Sequence, residues 1–167
     1  MAGAAMDAIE LLTSQHRRLE GLLQSLLGSH APDTRRQRLA QAGDELAVHI
    51  SAEEAVFYPA VHAARTEDIL LESLEEHLSL KRLLADLLAL APDDETFEPK
   101  CKVLSEQAEH HHGEEEENLF PKVRKLLHAS QRLELGRQMQ EHQALLRSQG
   151  RPRDAVKAQT TAAEPLT

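Results

Sequence analysis

Two stretches of this chain place the same side chains in the same order, and that repetition constrains the fold more than any other feature. Aligned on Pro59 and Pro121, 62 residues apart, they set His49 against His111, Glu53 against Glu115, Glu54 against Glu116 and Val61 against Val123. A second pair repeats at an offset of 61. His16 is followed by Leu22, Leu23, Leu26 and Leu27, and His77 by Leu83, Leu84, Leu87 and Leu88. The order along the chain is therefore His, His-x-x-x-Glu, His, His-x-x-x-Glu. A two-helix unit used twice predicts a pseudo-two-fold helical bundle.

Leu and Ala dominate the composition, and Phe57, Phe97, Phe120 and Tyr58 are the only aromatic residues, which disfavours a sandwich or barrel of strands. The 167 residues suffice for one domain with a full core. Apolar spacing and punctuation predict five helices. The first runs from a cap at Asp7 to Leu27, before Gly28. The second runs from Pro32-Asp33-Thr34 to about Ala64. The third runs from a Thr66 cap to Ala91-Pro92, the fourth from Asp93 and Asp94 to about His128, and a shorter fifth covers Ser130 to Ser148. Pro59 and Pro121 fall inside the second and fourth and should kink or interrupt them. The expected fold class is all-α: an up-down-up-down four-helix bundle with a short C-terminal fifth helix, forming one domain over residues 1–149. Residues 150–167 are Pro-, Thr- and Ala-rich, with only Val156 and Leu166 as large apolar side chains, and are expected to be a disordered tail.

Several function classes are disfavoured. The net charge is −9 and no stripe of Lys and Arg is present, so no nucleic-acid partner is expected. No apolar run approaches the roughly 20 residues that span a bilayer, so no membrane partner is expected. Residues Met1 to Met6 have no basic start and no long hydrophobic stretch, so they are not read as a signal peptide. Cys101 is the only cysteine; it forms no internal disulfide, fits a cytoplasmic location and reads as an inert small residue. No Gly-rich phosphate loop is present.

Residues four apart on a helix lie on one face, so His49 can reach the same point as Glu53, and His111 the same point as Glu115. Both pairs interrupt apolar stripes: Leu39, Ala42, Leu46, Phe57 and Ala60 around the first, Leu104, Ala108, Leu119 and Leu126 around the second. A buried carboxylate costs several kcal/mol unless a counter-charge compensates it. Two such carboxylates and four imidazoles at one depth of a bundle ask for cations, with His16, His49, Glu53, His77, His111 and Glu115 as candidate ligands. His110-Glu114 and His112-Glu116 share the four-residue spacing. Register with Pro121 and phase with Leu104 and Ala108 select His111-Glu115, leaving His110, His112, Glu114, Glu116 and Glu117 mostly on a solvated face. Glu54 and Glu116 share a repeat position and are either acceptors that orient the ligands or surface charge. Imidazole and carboxylate ligands suit iron, manganese or zinc, and the lack of thiolates argues against structural zinc. Six ligands are too many for one tetrahedral ion and suit two.

With these residues placed, the chain resembles the hemerythrin-like (HHE cation-binding) family, in its subgroup with four His and two Glu. The segments HISAEEAVFYP and HHGEEEENLFP look like that family's two signature helices, and the resemblance covers residues 7 to 130. It implies a non-haem di-iron centre, oxo- or hydroxo-bridged. His16 and His49 would sit on one iron, His77 and His111 on the other, with Glu53 and Glu115 bridging. Oxygen-carrying members have a further His one turn after the third-helix ligand, where this chain has Lys81. They also use an Asp, at one residue's longer spacing, where this chain has Glu115. With Lys81 there, both irons are expected to keep an open position, which favours peroxide or nitric oxide chemistry over oxygen storage. Lys81 could pair with Glu20, its repeat equivalent. The expected function is binding of, or reaction with, O2, H2O2 or NO, with catalase-like peroxide removal as the enzymatic form. The alternative is an oxygen or iron sensor or carrier without turnover. A monomer or weak homodimer is expected.

Overall fold

A computed structural model describes residues 4–167, so the reading of Met1 to Met6 as no signal peptide lies partly outside the described residues. The elements in order are α1 (Ala8–Leu27), α2 (Pro32–Ala52), a π turn (Glu53–Phe57), α3 (Tyr58–Val61), α4 (Glu67–Ala89), α5 (Phe97–Glu114), a second π turn (Glu115–Leu119), α6 (Phe120–Leu126), α7 (Ala129–Ser148) and a 3-10 helix (Pro152–Gln159). The result is the up-down-up-down bundle, with the α2–α3 and α5–α6 rods as its second and fourth members.

Asp7 caps α1 as expected: its carboxylate accepts from the Ile9 N–H, and Glu10 reaches back to the Asp7 N–H in a capping box. Thr66 does not cap α4. Its hydroxyl donates to the Val61 carbonyl and accepts from the Ala63 N–H, closing the preceding turn instead. The fourth rod starts at Phe97 rather than at Asp93 and Asp94, because the Asp94 carboxylate accepts from the Thr96 N–H and hydroxyl and holds that segment as a turn.

Each proline is absorbed by a π turn. Tyr58 N–H bonds to the Glu53 carbonyl and Phe120 N–H to the Glu115 carbonyl, five residues back instead of four. The extra residue removes the carbonyl that a proline ring would strike and lets the rod continue. It also rotates the last turns of each rod. Ala60 and Leu126, expected on the core stripe, are exposed, while Tyr58, Val61, Phe120 and Val123 turn inward.

Around the bundle, α1 packs on α2, α4 on α5 and α5 on α1, whereas α2 and α4 barely touch. α7 covers α1 and α2. The expectation of a disordered tail is corrected here. Residues 152–159 lie along the open seam between α2 and α4. Val156 is buried in the core, Arg153 binds the Asp44 carboxylate through its backbone and guanidinium, and Arg82 donates to the carbonyls of Thr160 and Thr161. Low apolar content suggested disorder, but one well-placed Val and four hydrogen bonds from two arginines suffice to dock a short strap. Among the described residues no helix is long and apolar enough to cross a membrane.

Candidate metal centre

The core is split into two apolar clusters. One gathers Leu12, Phe57, Tyr58, Leu74 and Phe120; the other gathers Leu19, Leu46, Leu80, Leu84 and Leu104. Between them lies one polar layer that contains all six predicted residues: His16 on α1, His49 on α2, Glu53 in the first π turn, His77 on α4, His111 on α5 and Glu115 in the second π turn. None is more than 1% exposed.

Each carboxylate stands between imidazoles from the two halves. Glu53 Oε1 is 3.2 Å from both His49 Nε2 and His77 Nε2. Glu115 Oε1 is 3.3 Å from His16 Nε2 and 3.4 Å from His111 Nε2. The Nε2 atoms of His77 and His111 are 3.1 Å apart. Two donors bound at right angles to one ion, with bonds of about 2.1 Å, lie about 3.0 Å apart, so these separations are those of neighbouring ligands. Three groups of donor atoms lie within 4.8 Å of one another, His16–His49–Glu53–Glu115, Glu53–His77–His111 and His16–His49–His112.

The opposite ring nitrogens are held from outside with the symmetry of the repeat. His16 Nδ1 lies 2.9 Å from Glu116 Oε2, and His77 Nδ1 lies 2.9 Å from Glu54 Oε2. Of the two readings left open for Glu54 and Glu116, the structure places both as acceptors facing imidazole nitrogens rather than as free surface charge. His49 Nδ1 lies 2.9 Å from Gln15 Oε1, and His111 Nδ1 lies 3.1 Å from Glu76 Oε1. All four partners are acceptors, so Nδ1 carries the proton and Nε2 turns its lone pair inward. Gln15 and Glu76 were missed from sequence, although each immediately precedes a repeat histidine. Gln143 of α7 holds the Gln15 amide in place through two hydrogen bonds.

Three more side chains depart from expectation. His112 is not on a solvated face. It is 5% exposed, stacks on the His16 ring at 4.0 Å and meets the His49 ring edge-on. Its twin in the repeat is buried Ile50, which signals an inward position. Lys81 does not pair with Glu20. Its ammonium, 2% exposed, sits 2.8 Å from Glu54 Oε1, while Glu20 reaches Arg17. Tyr58 breaks the symmetry, since its twin is Phe120: its hydroxyl donates to Glu115 Oε2 at 3.0 Å and lies 3.2 Å from His77 Nε2.

Burial and the neighbouring Glu115 push the Glu53 carboxyl well above the usual range. Burial acts the same way on Glu115, but the neighbouring His111, Glu53 and His16 side chains outweigh it and hold that carboxyl well below. Burial, aided by the His16 ring, lowers His49, and burial lowers His77 despite Glu54. Both are therefore neutral, the form that binds a metal. Among the described residues, His16 Nε2, His49 Nε2, Glu115 Oε1 and both Glu53 oxygens find no hydrogen-bond partner. A buried polar atom left unpaired costs about 1–3 kcal/mol, and cations at the centre would satisfy all five. The donor set fits.

The comparisons agree. A solved hemerythrin HHE cation binding domain-containing protein of Mycobacterium kansasii superimposes with a TM-score of 0.75, covering 92% of this chain and 99% of that one at 22% identity, which shows a shared fold. A DNA nickase of Nostoc sp. is 28% identical over 126 residues, 75% of this chain, and the chain spans about a third of that protein's length (36%). The family described as "Hemerythrin HHE cation binding domain" matches residues 7–123, and the chain belongs to this family of cation-binding helical bundles.

Proposed function

We propose that the chain is a non-haem di-iron protein that binds or turns over O2, peroxide or nitric oxide, with catalase-like removal of peroxide as the activity to test first. One observation carries this reading: two buried carboxylates, each facing an imidazole from either half, around donor atoms that have no other partner. His16, His49, Glu53 and Glu115 would hold one ion and His77, His111 and the same carboxylates the other. Mixed nitrogen and oxygen donors without thiolate favour iron over structural zinc. When bound, the metal pair supplies the redox chemistry.

The chain supplies the rest. Glu116, Glu54, Gln15 and Glu76 fix the imidazole tautomers. The two apolar clusters keep bulk water from both ends of the polar layer. Tyr58 holds a hydroxyl proton on the His77 side, donated to Glu115. Lys81 is occupied by Glu54, so the place of a further imidazole is left without one, which supports a coordination position free for a small molecule. Nicking of DNA is a property named for the Nostoc relative; a chain of net charge −9 covering about a third of that protein gives it no support here.

The test is metal analysis after expression in iron-containing medium, followed by oxygen evolution on adding peroxide. About two irons per chain and measurable evolution are expected. Two irons without evolution would leave the carrier or sensor reading. No iron, or a single zinc, would reject the di-iron centre.

A further inference from the structure

The two halves differ most in how they are covered. By the repeat, the α1–α5 groove is the counterpart of the α4–α2 groove. In the latter, the strap 152–159 closes the seam and the Lys81–Glu54 pair fills the space beside His77. Among the described residues no strap covers the former. A cavity of about 310 Å³ opens there, and the buried residues His16 and His112 are part of its lining.

The face of His112 is stacked on His16 at an interplanar angle of 13°. Two rings in that relation cannot both point in their planes at one ion, so His112 is a neighbour of the centre rather than a seventh ligand. Its Nε2 is nevertheless buried and without a hydrogen-bond partner. The cavity also carries a charge bias. Glu20, Glu109, Glu116 and Glu117 line it against the single cation Arg17, which bridges Glu20 and Glu116.

We infer that the α1–α5 cavity is the access route to the metal pair, that it favours small uncharged molecules over anions, and that His112 offers the hydrogen bond that receives them at its inner end. The inference rests on the di-iron reading of the centre. Four carboxylates at the mouth repel an approaching anion at low salt and leave a neutral molecule such as NO or hydrogen peroxide unaffected. The twin position, Ile50, could offer no such bond.

Gly113 lines the cavity, and a Cβ added there meets nothing within 4 Å, so a side chain can branch from this position without displacing the backbone. The experiment uses the iron-loaded full chain with two probes in stopped flow, NO and azide. Gly113→Trp should slow NO association by about tenfold or more, as when binding must await a conformational change, with the final spectrum unchanged. Azide association with the unaltered protein should speed up as salt is raised, while NO association should not. His112→Ile should keep the wild-type metal content and weaken azide and NO binding by roughly three- to tenfold, the worth of one hydrogen bond. Loss of metal in His112→Ile would make it a ligand and overturn its assigned role. Unchanged NO rates in Gly113→Trp would overturn the route alone. Absence of metal from the unaltered protein would remove the di-iron reading and this inference together.

Discussion

The charge on Glu76 has no counterpart in the other half, where Gln15 offers an amide to His49. A carboxylate behind an imidazole raises its basicity more than an amide does and holds the ring more firmly. Glu76→Ala should therefore weaken metal affinity by about 10–100-fold, measured by competition with a coloured chelator; an unchanged constant would show that His111 needs no such support. Cys101 tests burial away from the centre. Desolvation pushes its thiol up to about 11, against roughly 8.5 in an unfolded chain. The folded state holds this proton longer, so the contribution to stability is complete below about pH 8.5 and is lost as pH rises towards 11. Native protein at pH 8 should resist iodoacetamide and react quickly once unfolded in guanidinium. Rapid alkylation of the native protein would contradict the buried placement.

At the level of elements, the repeat made the six residues of the polar layer readable because side chains on helices keep a fixed spacing. It did not make His112 readable. A single-stripe view gives each helix one inner face, whereas α5 packs on both α1 and α4. Successive residues about 100° apart can therefore both be buried: His111 turns to Glu76 on α4 and His112 to His16 on α1. The apolar twin Ile50 held the missing signal. The stripe also failed beyond each π turn, where one extra residue shifts the phase, so Ala60 and Leu126 moved outward. Tyr58 was hidden for a different reason, because its ring stacks on His77 as that of Phe120 stacks on His16, and only its hydroxyl distinguishes it from its twin. Helix α7 shows how close the elements approach. A Cβ on Gly136 would lie 2.0 Å from the Met6 carbonyl oxygen and 3.0 Å from Ala8 N. Backbone cannot swing aside as a side chain can, so this clash outweighs the gain of about 1 kcal/mol in helix propensity for alanine over glycine. Gly136→Ala should lower Tm, by an amount equivalent to about 1–3 kcal/mol of overpacking. An equal or higher Tm would mean that α7 is free to shift.

For the whole molecule, four rods should close four seams, yet α2 and α4 barely meet. Lys81 and Glu54 lie on either side of that seam, both mostly buried, and an ion pair left open to water there would be screened and weak. The strap supplies the missing wall. Its Val156 contributes about 1.5–3 kcal/mol of burial, and Arg153 ties it to Asp44 on α2 while Arg82 on α4 holds its far end. A chain ending at Gln149 should thus remain helical but lose stability by at least the worth of Val156. Its amide exchange should rise in α2 and α4 while α1 stays protected. The same truncation opens a second groove onto His77, so a chelator should extract metal faster than from the full chain, and Gly113→Trp should no longer slow the approach of NO. If exchange, extraction and NO association all match those of the full chain, the strap only decorates the surface, and the seam between α2 and α4 is sealed by its own side chains.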